Sequence, residues 1–222
     1  MQDIVTLDLS TACIQHLCRQ DEQLGKLIRL VGPITYSRRS DLDSYRFLIH
    51  EIIEQMLAIN VSNTIYSRLE ELCGGLITPE VISALTDDSI RGIGTARSKV
   101  SYIRSVTNAV LTGELDFPAL RALSDQEVFK KLTSVRGIGP WTAKMYLLFA
   151  LDRPDVLPTE DAAFLQAYQW LYETNDRRTS SVSKRCECWK PYSSVAARYL
   201  YKARDMGLIN SASIDAYIKR GE

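Results

Sequence analysis

Two glycines around one isoleucine, followed at once by a proline, constrain this chain more than any other stretch: Gly137-Ile138-Gly139-Pro140. Glycine reaches dihedrals closed to other residues and lets the main chain come close to whatever lies above it. Proline suits the first position of a helix, where its missing N–H has no intrahelical partner to lose. Upstream, Val128, Leu132 and Val135 recur at helical spacing over residues 125–134; downstream, a helix runs from Pro140 through Trp141 to Ala150. The pattern is helix, tight turn, helix. Amides around Gly139 then sit at a helix N-terminus, which suits an anion, and a phosphate gripped by backbone amides is held without base readout. Taken alone, the tripeptide reads more readily as a tight helix–helix turn, and a second copy stands at Gly92-Ile93-Gly94.

The downstream residues set the later copy apart. A Pro-bounded loop delivers Glu160 and Asp161 to the start of another helix. That carboxylate pair comes roughly twenty residues after the turn, one helix and one loop away.

The remaining chain reads as helices. They are expected at Ser10–Arg19 with Ser10 as N-cap, at Glu22–Leu30, at Leu42–Ala58 and at Asn60–Leu72. Thr78-Pro79-Glu80 opens a short helix and Ser124 with Glu127 forms a capping box. Thr95–Leu111 is amphipathic, with Arg97, Lys99 and Arg104 opposite its apolar side. Gly32-Pro33 reads as a turn, Arg38–Asp41 as a polar connection and Glu173–Lys184 as a surface loop. A helix through Ser194–Arg204 and a short one at Ser211–Ile218 close the chain. No alternating pattern recurs, so the expected class is all-α.

Composition narrows the function. The 222 residues carry 27 Lys+Arg and 27 Asp+Glu, which argues against a uniformly basic coat but leaves room for a local basic face. No apolar run is long enough to cross a membrane, and no signal peptide is evident. Five scattered cysteines, an odd number, suggest a reducing compartment such as the cytoplasm, or the nucleus in a eukaryotic host. Cys186-Glu187-Cys188 is too closely spaced for a zinc pair, and His16 and His50 read as ordinary helix residues.

Three segments together carry a resemblance: VRGIGPWTAKMYLLF, then DVLPTED, then WKPYSSVAARYLY. They resemble the helix-hairpin-helix DNA glycosylase superfamily, and most closely its 3-methyladenine DNA glycosylase II branch, over about Leu42–Leu208. The resemblance implies two helical lobes with a cleft between them. Residues 42–158 would form a six-helix lobe with the hairpin, and residues 1–41 with 159–222 the other lobe. It implies duplex DNA with damaged bases as partner and a base flipped into the enzyme; no sequence feature argues for an oligomer, so a monomer is expected.

The resemblance also implies roles. Asp161, in the pattern Asp161-Ala162-Ala163-Phe164, matches the catalytic carboxylate; Glu160 is the competitor. On the residues alone, a helix-start carboxylate favoured by the macrodipole is an equal reading of Asp161. Trp141 stands where relatives that also cut the backbone carry a Schiff-base lysine, and Lys144 lies nearly a turn further on. The expectation is therefore a monofunctional glycosylase. Trp141, Met145, Trp189 and Tyr192 are expected to line the base pocket, with Tyr146 and Trp170 as lesser candidates. Gln55 and Met56 match the residues that fill the gap left by a flipped nucleotide. Gly137, Ile138, Gly139, Arg136 and Lys144 are expected at the phosphates, and the carbonyls of Thr133, Val135 and Ile138 at an alkali cation. No cofactor is required, and with two cysteines after the catalytic helix no iron–sulfur cluster is expected. Ser193 and Tyr201 depart from the Arg and Trp common in relatives. The alternatives are a glycosylase for oxidised, deaminated or mismatched bases, and a non-catalytic protein that binds damaged DNA.

Overall fold

The computed structural model describes residues 4–38 and 41–221. The chain divides into two compact units, Met1–Arg38 with Asp152–Glu222, and Arg39–Leu151. The expected Arg38–Asp41 connection includes residues 39–40, outside the described residues.

The first unit opens with a strand, β1 (Ile4–Leu7), then α1 (Ala12–Gln20), α2 (Glu22–Val31) and β2 (Ile34–Ser37). The two strands pair antiparallel, Ile4 opposite Ser37 and Leu7 opposite Ile34. This small sheet corrects the expectation of a strand-free chain, although the class remains helical, with 67% of the described residues in helices. Ser10 is not the cap of α1: that position is Thr11, while Ser10 turns back onto Asp8. Asp21 separates α1 from α2 and serves three elements. Its Oδ1 accepts the Leu24 N–H and caps α2, and its Oδ2 accepts from the Tyr172 hydroxyl and the Trp189 indole.

The second unit runs through α3 (Asp41–Glu54), α4 (Ile59–Leu72), α5 (Pro79–Ala84), α6 (Asp87–Gly92), α7 (Arg97–Leu111), α8 (Phe117–Ala122), α9 (Asp125–Ser134) and α10 (Pro140–Met145). The last continues as a π-turn over Tyr146–Ala150, with the Leu151 N–H donating to the Tyr146 carbonyl at 3.0 Å. Local signals start these helices as expected. Thr78 caps α5, with Pro79 in the first turn, and Ser124 and Glu127 close a reciprocal capping box on α9. Apolar Leu48, Ile49, Ile52 and Ile53 of α3 are all buried, as are Tyr146 and Leu148 of the π-turn, and α3 packs along α4, α7 and that turn.

The chain then returns to the first unit with α11 (Ala162–Leu171), α12 (Thr179–Arg185), a 3₁₀ turn at Cys186–Trp189, α13 (Ser193–Asp205), a second at Leu208–Asn210, and α14 (Ile214–Gly221). The segment expected to be loop up to Lys184 thus contains a helix; Val182 is its one buried anchor, too sparse a signal to read from sequence. Residues 152–158 go with this unit, ahead of the expected boundary at 158. The Ser194 N–H donates to the Pro154 carbonyl, the Val156 N–H to Ser194 Oγ, and the Ser193 hydroxyl to Asp155. Asp152 ties both ends together: it accepts from the Tyr36 hydroxyl, Arg38 and Arg198, each at 2.9 Å, and Arg198 lies 4.0 Å over the Tyr36 ring. Among the described residues, no helix is long and apolar enough to cross a membrane.

Candidate functional site

The hairpin joins α9 to α10, and its geometry explains its glycines one at a time. Gly137 has a φ of +99°, and a Cβ there would lie 2.4 Å from Cβ of Tyr102 on α7. No other residue fits, because both the dihedral and the space forbid one. Gly139 is different. Its φ is −91°, it is the N-cap of α10, and a Cβ would meet nothing within 4 Å. Packing does not demand glycine there; open space over the start of the helix is what a phosphate needs. Ile138 between them is buried and anchors the turn. Arg136 is exposed beside it, with its guanidinium 6.0 Å from the Tyr102 ring centre. Lys144 is half-buried on α10.

The three carbonyls expected to hold an alkali cation fit that task. Val135 O accepts only the Ile138 N–H among backbone donors, and Thr133 O and Ile138 O accept no backbone hydrogen bond among the described residues. A carbonyl has two acceptor lone pairs, and unsatisfied ones are uncommon. Hard oxygen donors suit an alkali ion.

Gln55 and Met56 lie in this same unit, but not within a helix. The expected helix to Ala58 ends instead at Glu54. Met56 has a φ of +61°, which only a tight turn imposes on such a residue, and its side chain is fully exposed. A core role for Met56 is thereby ruled out. Gln55 ties this turn to the hairpin: its Nε2 donates to Gly137 O at 2.9 Å and to Thr142 Oγ1 at 3.1 Å. Lys99 of α7, a residue sequence reasoning left unassigned, braces the turn from below. Its ammonium donates to the carbonyls of Ile53 and Gln55, which cap the end of α3, and burial lowers its pKa. Leu57, Ile59 and Val61 extend the exposed apolar tip beyond Met56.

In the other unit, Asp161 is the N-cap of α11 rather than a first-turn residue. Its Oδ1 accepts the Phe164 N–H at 2.6 Å, and the residue is 8% exposed. That bond fixes the carboxylate at the N-terminus of α11. Glu160, one residue earlier, is exposed.

The aromatic set divides. Trp189 is wholly buried; its indole donates to Asp21 at 2.9 Å and its ring meets Phe164 edge-on and Tyr172 stacked. This corrects its expected place in a base pocket: every face is taken by the core of its unit. Tyr192 is partly exposed and meets His16 edge-on at 5.3 Å. Trp141 is half-buried, and Met145 is buried on the same helix. Tyr146 is a core residue between Phe47 and Phe117, and Trp170 is buried with its indole donating to Ser211. Ser193, in place of an arginine, holds Asp155 through its N–H and hydroxyl, and Tyr201 packs toward Phe164 at 6.4 Å.

Known proteins share this fold. Residues 49–191 match the model of the HhH-GPD superfamily base excision DNA repair proteins. The DNA-3-methyladenine glycosylase 1 of Schizosaccharomyces pombe is 32% identical over 206 residues, covering 90% of each chain. The crystal structure of a DNA-3-methyladenine glycosidase from Bacillus halodurans superposes with a TM-score of 0.83 at 30% identity, over 97% of this chain and 99% of that one. The S. pombe 3-methyladenine DNA glycosylase Mag1, solved in complex with abasic DNA, superposes at 0.77 with 29% identity, over 88% and 97%. The matched span takes in the Gln55 and Met56 turn, the hairpin, Asp161 and Trp189 to Pro191, and the chain belongs to the HhH-GPD superfamily of base excision DNA repair proteins, in the company of DNA-3-methyladenine glycosylases.

Proposed function

We propose that this DNA glycosylase is monofunctional and hydrolyses the N-glycosidic bond of alkylated purines in duplex DNA, 3-methyladenine first and 7-methylguanine after it. The observation that carries the reading is Asp161: a nearly buried carboxylate pinned through one oxygen to the Phe164 amide. Departure of an alkylated purine needs little help from an acid. The cationic base leaves neutral with the bonding electrons, and positive charge develops on the sugar, as in other glycosyl transfers. A fixed carboxylate stabilises that charge and orients the incoming water. Water adds its oxygen to the sugar carbon and releases a proton, leaving an abasic site.

Trp141 supports the absence of lyase chemistry, since it has no amine to form a Schiff base. Tyr192, in the same unit as Asp161, supplies an aromatic face for a cationic base. Met56 enters the stack in place of the flipped nucleotide, held out by its turn. Gly137, Ile138, Gly139, Arg136 and Lys144 hold the phosphate backbone. An alkali cation bound by the carbonyls of Thr133, Val135 and Ile138 would add a positive charge to that grip. No cofactor enters the reaction.

The test is release of free base from randomly methylated duplex DNA, read by chromatography. Asparagine caps helices as well as aspartate does, so Asp161→Asn removes the charge and keeps the cap. The expected result is loss of release with retained DNA binding. Activity in Asp161→Asn would move the role to Glu160. Cleavage only of duplexes with oxidised, deaminated or mismatched bases would overturn the substrate class.

A further inference from the structure

The last full turn of α3 carries a cluster that the glycosylase reading leaves unused: His50, Glu51 and Glu54, whose ligand atoms all lie within 4.8 Å of one another. His50 Nδ1 is 3.5 Å from Glu51 Oε1 and 3.6 Å from Glu54 Oε2. Those distances exceed the usual N–H···O range of about 2.7–3.2 Å. They sit close to the donor–donor edge of about 3.4 Å that a tetrahedral zinc ion sets with bonds near 2.1 Å.

The surroundings are those of a built site rather than a solvated acidic patch. Glu51 is 7% exposed, and His50 and Glu54 are half-buried. Tyr66 of α4 meets the imidazole edge-on at 4.8 Å. Such a contact limits the orientations open to the ring.

We propose that His50, Glu51 and Glu54 form a binding site for a divalent cation of zinc type, with imidazole and carboxylate ligands and a fourth position left to water. The site lies one residue before Gln55, whose own N–H donates to the Glu51 carbonyl. A metal there stiffens the end of α3 from which the Met56 turn projects.

The proposal is tested with zinc itself on the full chain, by calorimetry, and with cobalt(II) by absorption spectroscopy. The protein has five cysteines, and cobalt separates the two sources, because thiolate ligands give a near-ultraviolet charge-transfer band that imidazole and carboxylate do not. The expected result is one equivalent of zinc bound, a cobalt spectrum without that band, and affinity lower by at least roughly 100-fold in His50→Ala and in Glu54→Gln. Far-UV dichroism and thermal melting check that the variants fold; Glu54 is half-exposed, so Glu54→Gln decides if His50→Ala does not. Zinc affinity unchanged in the variants, thiolate-ligated cobalt alone, or no binding at millimolar zinc overturns the proposal.

Discussion

The second unit holds the same tripeptide twice, and the two copies behave differently. At Gly92-Ile93-Gly94 the glycine with positive φ is the last, at +104°, and its nearest neighbour is the tip of the Arg68 side chain at 3.4 Å. That arginine also donates to the Ile93 carbonyl at 3.2 Å, so one exposed and flexible side chain holds the turn. At Gly137-Ile138-Gly139 the positive φ belongs to the first glycine, which rests against the backbone and ring base of Tyr102 and gives its carbonyl to Gln55. The first turn merely links α6 to α7. The second is braced from the turn after α3 and from α7, and it leaves Gly139 facing open space. A sequence motif of three residues therefore says little; the difference lies in which other helices reach it.

Substitutions break the comparison in order of size. Gly137→Ala should be the worst, at about 3 kcal/mol of stability, since a clash with a fixed neighbour adds to the cost of a left-handed dihedral. Chemical denaturation measures it. Gln55→Ala ranks second at about 1–2 kcal/mol, because two hydrogen bonds go and a partly buried carbonyl loses its donor; DNA affinity should fall with it, since the Met56 turn loses its tie to the hairpin. Gly94→Ala should cost about 1 kcal/mol, from the dihedral alone, as the Arg68 tip can move aside. Gly139→Ala sharpens the contrast most. Stability should shift by less than about 0.5 kcal/mol, while fluorescence-anisotropy titration with duplex DNA should show weaker binding, because the added methyl occupies the approach to the amides. Equal losses of stability at Gly94 and Gly137 would erase the distinction between the two turns.

Much of the molecule is legible in its sequence where the signal is local. Thr78-Pro79 and Ser124…Glu127 announce helix starts through hydrogen bonds that lie within four residues, and the structure makes those bonds. The hairpin and the Asp161 cap are local in the same sense. The strands Ile4–Leu7 and Ile34–Ser37 are four residues each, too short for alternation to show, and exist because they find each other across the intervening helices. Trp189 reads as a pocket residue because an aromatic carries no mark of which faces are covered; Asp21, far away in sequence, decides it. The Leu42–Ala58 pattern stays apolar past Glu54, so nothing local announces the turn, and the Lys99 cap that ends the helix comes from α7. His50, Glu51 and Glu54 do carry a readable sign, ligand types spaced one turn apart on a helix, which two lone histidines in helical patterns obscure.

Asp152 brings a matter of timing into the fold. The residues it joins, Tyr36 and Arg38 on one side and Arg198 on the other, come from opposite ends of the same unit. The first piece ends at Arg38 and the second begins at Asp152, 152 − 38 = 114 positions later. At a synthesis rate of about 5–20 residues per second, the opening strand and helices wait roughly 6–23 s on the ribosome for their partner. The hairpin unit has no such delay, since all its residues emerge in one run. It is able to assemble first, and α1, with its apolar Ile14 and Leu17, is a segment that a nascent-chain chaperone would meet uncovered.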